Sequence, residues 1–437
     1  MNLDRRSLLT GSLLLAAPNL RAATRDGPPI VVVGAGAAGL AAADTLRRAG
    51  HAFALIEARD RIGGRAFTDR SLGADCAFDA GAQYIHWAER NPWAPIAKAA
   101  GSRIAVDGTW ARTLLIDGRP ATDAERASRR AGFSGLDALL TPNGADRSIA
   151  EAAAIGGPEA VQAAGGLARL SLGEEPERVS VADYDRLWSG ADLWVDGYGA
   201  LVASHFASLP VALGTIAEGI DWSGQGVRIA TNKGPLEAAA VILTVPVGVL
   251  GAGTIRFAPA LPEAVEGALQ GLGMGAYTKV ALRLDPARFD LRAVGDAVTA
   301  ARSDGADQTI YFEMAPFDRP LAIANLGGDG ARELCTAGEA TAVAAMTDRL
   351  AGILGNTARE AVTGGRLAGW WTDPFARGAY SVARPGHADA REALRRPIAD
   401  RVFLAGEALG DGGAMTVGGA TLDGERAARA VLRVLGS

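Results

Sequence analysis

Cysteine, histidine and lysine are scarce in this chain. Its 437 residues hold two cysteines, Cys76 and Cys335, too few for a disulfide framework and without metal-ligand spacing. An oxidising compartment would let the two pair, but two buried free thiols are the expectation, because free cysteine behaves as a small apolar residue. Four scattered histidines offer no metal cluster either. No basic block is present and the formal charge is −5, which makes nucleic acid a poor partner. Lysine is the oddest shortage: Lys98, Lys233 and Lys279 stand against 41 arginines. What the chain has in quantity is apolar sequence. Hydrophobic residues make up 49% and charged residues 21%, the balance of a soluble globular protein, and the length suits two or three domains.

The first 23 residues are set apart from the fold. Arg5-Arg6 precede a short apolar run from Leu8 to Ala17, with Ala22-Ala23 beyond, and that run is too short to span a bilayer. Residues 1–23 are therefore read as a twin-arginine-type signal for export to the periplasm, in preference to a membrane anchor or a surface helix. Asp4 before the arginines and leucines after them depart from the usual pattern. Such export carries folded proteins, which suits a chain that binds its cofactor before leaving the cytoplasm. Removing the segment takes away three arginines and one aspartate, and the mild acidic excess that remains favours cationic substrates.

Residues 30–39 read IVVVGAGAAG. Ile30–Val33 is an apolar run of the kind covered on both faces in a parallel sheet. The helix-forming stretch LAAADTLRRAG follows, so Gly34, Gly36, Ala38 and Gly39 sit at a strand-to-helix turn. There the backbone can approach a pyrophosphate, and the helix N-terminus offers unpaired N–H groups. A second strand, AFALIEA, ends at Glu57, 23 residues beyond Gly34. An acid at that distance accepts from a ribose diol. Strand, glycine turn, helix and acid in this order point to a dinucleotide. Just beyond, EARDRIGGRAFT places Ala58, Arg59 and Gly63-Gly64-Arg65 where glycines let the chain pass close and arginine can clamp phosphates.

From these residues the sequence resembles the flavin-containing amine oxidase family, which includes monoamine and polyamine oxidases. The resemblance continues in FDAGAQYIHW (78–87), in GYGALVASHFASLPVALGTIAEGIDW, in YTKVALRL, in GWWTDPFARGAYSVARPG, and in RVFLAGEALGDGGAMTVGGATLDGERAARAVL. Residues 100–180 and 285–365 match poorly. The fold class implied is α/β plus α+β: a Rossmann-like FAD-binding domain from 24–90, 200–262 and 399–437, interleaved with a substrate domain of mixed sheet and helices from 91–199 and 263–398. Strand signals at 275–284, 308–314 and 321–326 suit that sheet. The Ala-rich region from Ser148 reads as helical, with Ser148 and Glu151 spaced as a capping box.

The resemblance also implies roles. Lys279 corresponds to the lysine hydrogen-bonded through water to flavin N5, and in a chain that nearly always uses arginine, a lysine there suggests that a compact titratable ammonium is wanted. On strand alternation alone, Lys279 would be a solvated residue on an outer face with Tyr277, Ala281 and Arg283. Tyr380 resembles the aromatic residue at the flavin's reactive edge, where an apolar slot disfavours the ammonium form of the substrate. The opposite position holds Thr416, so an aromatic cage is at best half built. Ala379 stands where members with covalent flavin have cysteine, so noncovalent FAD is expected. Ile216 matches a position whose backbone touches adenine. Gly406 and Glu407 match an acid near the ribityl or phosphate region, and of Trp370 and Trp371, expected near the cofactor, Trp370 is given the pocket role, with a core-filling role left open for one of the two. Met415, Thr416 and Val417 lead into a C-terminal helix whose N-terminus would favour negative charge on reduced flavin. Gly418-Gly419 replaces a His-Gly pair. His86 resembles a pocket histidine of polyamine oxidases. Gln83 stands where related L-amino-acid oxidases carry arginine, which disfavours carboxylate recognition there.

The expected reaction is FAD-dependent oxidation of a primary, secondary or polyamine: hydride transfer to N5, imine hydrolysis, and reoxidation by O2 to give H2O2, with no metal. An L-amino-acid oxidase or tryptophan 2-monooxygenase-like enzyme is the alternative within enzymes. An exported flavoprotein passing electrons to a partner is the alternative outside that class. No stable membrane insertion is expected.

Overall fold

The computed structural model describes residues 28–106, 112–301 and 309–436, and the expected export signal lies outside them. Four short strands build a parallel sheet in the order Phe53–Ile56, Ile30–Val33, Ala240–Leu243, Val402–Leu404. Their continuous apolar sequence follows from being covered twice. Ile30, Val32, Ile242 and Phe403 pack on one side with Leu40, Leu46, Ala427 and Val431, from the helices Ala37–Arg48 and Val417–Val434. Val31, Val33, Val241 and Leu243 pack on the other with Ile220, Trp222 and Ile229. Ile220 and Ile229 belong to a second four-stranded sheet, ordered Leu236–Ala238, Val227–Thr231, Ala217–Asp221, Arg256–Ala258, and Trp222 directly follows its third strand. Strands far apart in the chain thus share one core.

A seven-stranded mixed sheet forms the other half. Its central strands Tyr277–Leu284, Leu321–Gly327 and Ile310–Met314 are antiparallel neighbours, and the signals at 308–314 and 321–326 correspond to two of them. The signal at 275–284 is two strands. Leu272–Gly275 pairs with Tyr380–Ala383, while Tyr277–Leu284 joins the large sheet. The chain changes sheets at Ala276, and this change carries Tyr380 next to Tyr277.

The helical region from Ser148 also divides. Ser148 and Glu151 form the capping box of Ile149–Ala154. Gly157 then takes φ +82°, and Pro158 opens the helix Pro158–Leu172, proline being suited to a first helical turn. The helix Asp123–Leu139, started by a second capping box at Thr122, packs against it. Cys76 and Cys335 are both free and buried. Among the described residues, no helix is long and apolar enough to cross a membrane.

Candidate active site

A cavity of about 1790 Å³ runs between the parallel sheet and the mixed sheet. Pockets for one small ligand occupy roughly 300–1,000 Å³, so this one has room for a large cofactor and a substrate together. It is lined by Val33, Ile56, Leu243 and Leu404, the last residues of the four parallel strands. Ligands of open α/β sheets bind at that edge.

The glycine turn behaves as its spacing requires. Gly34, Gly36, Ala37 and Ala38 line the cavity. Gly39 does not. A Cβ there would run into the carbonyl oxygen of Gly34, so the third glycine serves the close approach of helix to strand rather than contact with a ligand. Glu57 is buried, and its two carboxylate oxygens accept from the backbone N–H groups of Ala35 (2.7 Å) and Arg59 (2.8 Å). Each oxygen keeps a lone pair for a diol.

Several neighbours are already engaged with one another. Arg59 lines the cavity, yet its guanidinium is held by Asp373 at 2.7 and 2.8 Å and lies near Trp370 and Phe375. Arg65 donates to Ala379 O (2.8 Å) and to Glu407 Oε1 (3.1 Å), leaving other guanidinium donors free. Ala58, Gly64, Gly406 and Ile216 also line the cavity. The Ile216 backbone bonds Asn232 through both its N–H and its C=O, which leaves a second lone pair and the side chain for a ligand. Trp370 lines the cavity and donates from Nε1 to Ala80 O at 2.8 Å. Trp371 does not line it. That ring packs among the core side chains under Arg332, so Trp371 is the one of the two that fills the core.

Met415, Thr416 and Val417 bring the N-terminus of the last helix to the cavity. Thr416 is its N-cap, accepting from Gly419 N at 3.0 Å and donating to Gly413 O at 2.8 Å. A Cβ on Gly419 would collide with that same carbonyl. Gly419 is thus the glycine that a His-Gly pair would keep; at Gly418, where that pair has histidine, a Cβ would run into the Asn91 side chain.

Lys279 is 4% exposed and lines the cavity. It is not the solvated residue that alternation alone implies. Its ammonium donates to Asp79 O (2.8 Å), Gly81 O (2.9 Å) and Gln83 Oε1. All three donors are used by the segment 79–83, so a bond through water requires one of them to be exchanged. Gln83 in turn donates from Nε2 to Glu313 Oε1 at 2.6 Å, where Asn325 also donates. Burial pulls Lys279 below its ordinary pKa, while Glu313 and then Asp79 pull it back up. Burial pushes Glu313 up, opposed chiefly by Lys279. Gln83 lies between the two charges, its amide turned by lysine at one end and carboxylate at the other.

Tyr380 stands at the cavity wall with Tyr277, ring centroids 6.1 Å apart and tilted by 35°. Its hydroxyl donates to Ser171 O at 3.3 Å. Burial, and then the charge of Glu407, hold that phenol far above its usual range. His86 lines the cavity half-exposed, with Nδ1 2.9 Å from Asp192 Oδ2. Asp192 stays below the usual carboxylate range: burial opposes this, and hydrogen bonds from His86 and Trp87 N–H outweigh it. Sequence reasoning missed Tyr277 and Asp192 as wall residues, and with them Tyr84, Trp188 and a whole face of the helix Asp123–Leu139.

Comparison with known proteins decides the family. The description flavin containing amine oxidoreductase matches residues 122–432, and that of an NAD(P)-binding Rossmann-like domain matches residues 32–98. The chain belongs to the flavin-containing amine oxidoreductases. It is 29% identical to Lysine-specific histone demethylase 1 homolog 1 of Oryza sativa subsp. japonica, over 93% of this chain and 52% of that protein. The chain spans about half the length of such demethylases. It is 26% identical to Polyamine oxidase 4 of the same species, over 98% of this chain and 92% of that protein. Among solved structures, a double mutant from a redesign of cofactor binding in putrescine oxidase shares the fold. The TM-score is 0.73 at 22% identity, over 94% of this chain and 99% of that one.

A flavin amine oxidoreductase needs a long site for its dinucleotide, and these residues fit one. The turn Gly34–Ala38 presents backbone at a helix start, Glu57 keeps acceptors, and the cavity continues to Lys279 and Tyr380. The cofactor is FAD, held noncovalently: Ala379 lines the cavity, and neither cysteine does. Gly39→Ala tests the cradle. The colliding Cβ is expected to destabilise the apoprotein by about 1–3 kcal/mol or more and to lower the ratio of flavin to protein absorbance. Full flavin content would show that the turn adjusts.

Proposed function

We propose that this enzyme oxidises a small-molecule amine with noncovalent FAD and O2, in the periplasm. The observation that carries the reading is the buried Lys279 ammonium on the same cavity wall as the Tyr277–Tyr380 pair. The relatives' amine chemistry supports it. Gly34–Ala38, Glu57, Gly64, Arg65, Glu407 and the helix start at Thr416 would hold the cofactor. Bound there, FAD would supply the two-electron oxidation of the carbon beside the amine nitrogen, with O2 as the final acceptor and H2O2 as its product.

The chain's own residues set the conditions. The tyrosine pair forms a wall of low polarity that disfavours an ammonium ion, so the amine enters neutral. Tyr380 stays protonated and cannot act as a base near neutrality. Lys279, while protonated, places a positive charge at the wall, where it favours negative charge arising nearby. Water then turns the imine into a carbonyl product and a smaller amine or ammonia. Export rests on Arg5-Arg6 and the apolar run after them, and cell fractionation tests it.

Anaerobic mixing with mono-, di- and polyamines tests the reaction: bleaching of the flavin band is expected, followed by peroxide when air is admitted. An enzyme that stays yellow with every amine sinks the reading. The pH profile should carry two marks. The value of kcat/KM rises with pH as the amine loses its proton, toward about 10 for an alkylamine. It then falls as Lys279 deprotonates, below that group's ordinary value because burial disfavours its charge. A flat profile would remove both roles.

A further inference from the structure

The cavity's outer wall carries a charge that an ordinary polyamine would not meet favourably. Residues Arg126, Arg129, Arg130, Phe133, Ser134 and Asp137 all line it. Their spacing of three and four is one face of the helix Asp123–Leu139. Arg126 is committed, donating to Asp123 at 2.8 Å and to Ala121 O. Arg129 is not: among the described residues no carboxylate forms an ion pair with it, while Arg130, exposed and likewise without an ion pair, acts on Asp123 through its charge. Arg129 is half-buried, 5.5 Å from the Phe133 ring centroid, and burial alone lowers its pKa, with no acidic neighbour to offset it. An arginine turned into a cavity, partly desolvated and without a counter-charge, is an anion site in waiting. Of the acids on this part of the wall, Asp192 is bonded to His86, Asp137 stands two turns along the helix from Arg130, and Asp185 is exposed; none of the three bears on Arg129.

Distance sets what kind of anion fits. The Arg129 guanidinium lies against Gly166 on the helix Pro158–Leu172. Ser171, on the same helix, accepts from Tyr380. Gly166 and Ser171 are separated by roughly 7–8 Å along the axis at 1.5 Å per residue. An α-amino acid, with both groups on one carbon, cannot reach both ends. An amine with a carboxylate several methylenes away can.

We propose that the substrate is an amine bearing a remote carboxylate, its anionic end held by Arg129 with Arg130 and its amine carbon beside Tyr277 and Tyr380. This rests on the amine-oxidation reading and narrows it. It also reverses the expectation that an acidic chain prefers purely cationic amines, since the local wall outweighs the net charge.

The test uses the holoenzyme with chain-length-matched n-alkylamines, diamines and ω-amino carboxylates. The ω-amino carboxylates should show at least tenfold higher kcat/KM than the alkylamines, and the ratio should collapse toward one in Arg129→Gln. Diamines preferred over ω-amino carboxylates, or a ratio untouched by R129Q, overturns the proposal. If R129Q folds poorly, Arg129→Lys replaces it and should give an intermediate ratio, because the charge stays and the fork is lost. Simple alkanoates, which carry no amine, separate the two readings. Their binding is read from the flavin absorbance difference spectrum. Alkanoate binding that requires Arg129, in an enzyme that oxidises no amine, would end the amine-oxidation reading while leaving the anion site. Amine turnover with no alkanoate binding would end the anion site and leave amine oxidation standing.

Discussion

Lys279→Met is expected to retain FAD and to slow flavin reduction or reoxidation by about 10²–10³-fold, the usual loss when one preorganised electrostatic group is removed from a site. FAD is expected to stay because the cradle at Gly34–Ala38 and the acid Glu57 lie on other elements. The rate should fall because Lys279 is the buried cation that the cavity wall presents at this point, and methionine fills the space without the charge. The three acceptors it satisfies, Asp79 O, Gly81 O and Gln83 Oε1, would be left without their donor. Such buried groups cost about 1–3 kcal/mol each when unpaired, so a lower stability should accompany the kinetic effect. Stopped-flow absorbance under anaerobic and then aerobic conditions separates the two half-reactions. Both rates within a few-fold of wild type would refute the role. The falling limb of the pH profile should vanish with the side chain, an outcome that loss of packing alone would not produce.

Much of the fold was legible because its signals are local. The run IVVVGAGAAG announces a covered strand, a turn and a helix in ten residues, and the structure forms them in that order. The capping box at Ser148 was equally readable. What local pattern could not supply was the partner of each strand. YTKVALRL alternates like a half-exposed strand, yet Lys279 is buried because the segment 79–83 crosses its face and offers three oxygens. Periodicity does not report what packs on a face. The same limit hid Tyr277, which meets Tyr380 only because the chain changes sheets at Ala276. The arginine face at 126–130 has helical spacing in plain view. In a chain with 41 arginines, though, nothing in the sequence separates a solvated face from a cavity wall.

Asp183→Ala is expected to destabilise the holoprotein by about 3–5 kcal/mol, the range found when one member of a buried ion pair is removed. Asp183 and Arg391 are 4% and 8% exposed and meet in a fork at 2.7 and 2.8 Å. Arg391 also donates to Ser381 Oγ (2.7 Å) and Ala408 O (2.9 Å). The serine hydroxyl, accepting from arginine, donates a hydrogen bond to Glu407 Oε2 at 2.8 Å, and Arg65 closes the series on Glu407 Oε1. Four segments that line or back the cofactor end of the cavity are thereby joined through one aspartate. Without it, a guanidinium stays buried with no counter-charge, and Ser381 and Glu407 lose the partner that orients them. Flavin should therefore be released at lower denaturant together with the tryptophan signal, and not after it. Asp183→Asn, which keeps an acceptor for Arg391, should lose less. A loss below about 1 kcal/mol in the alanine variant would mean that the pair gives back in attraction no more than its desolvation removes, and that Ser381 and Arg65 orient Glu407 without help from Asp183.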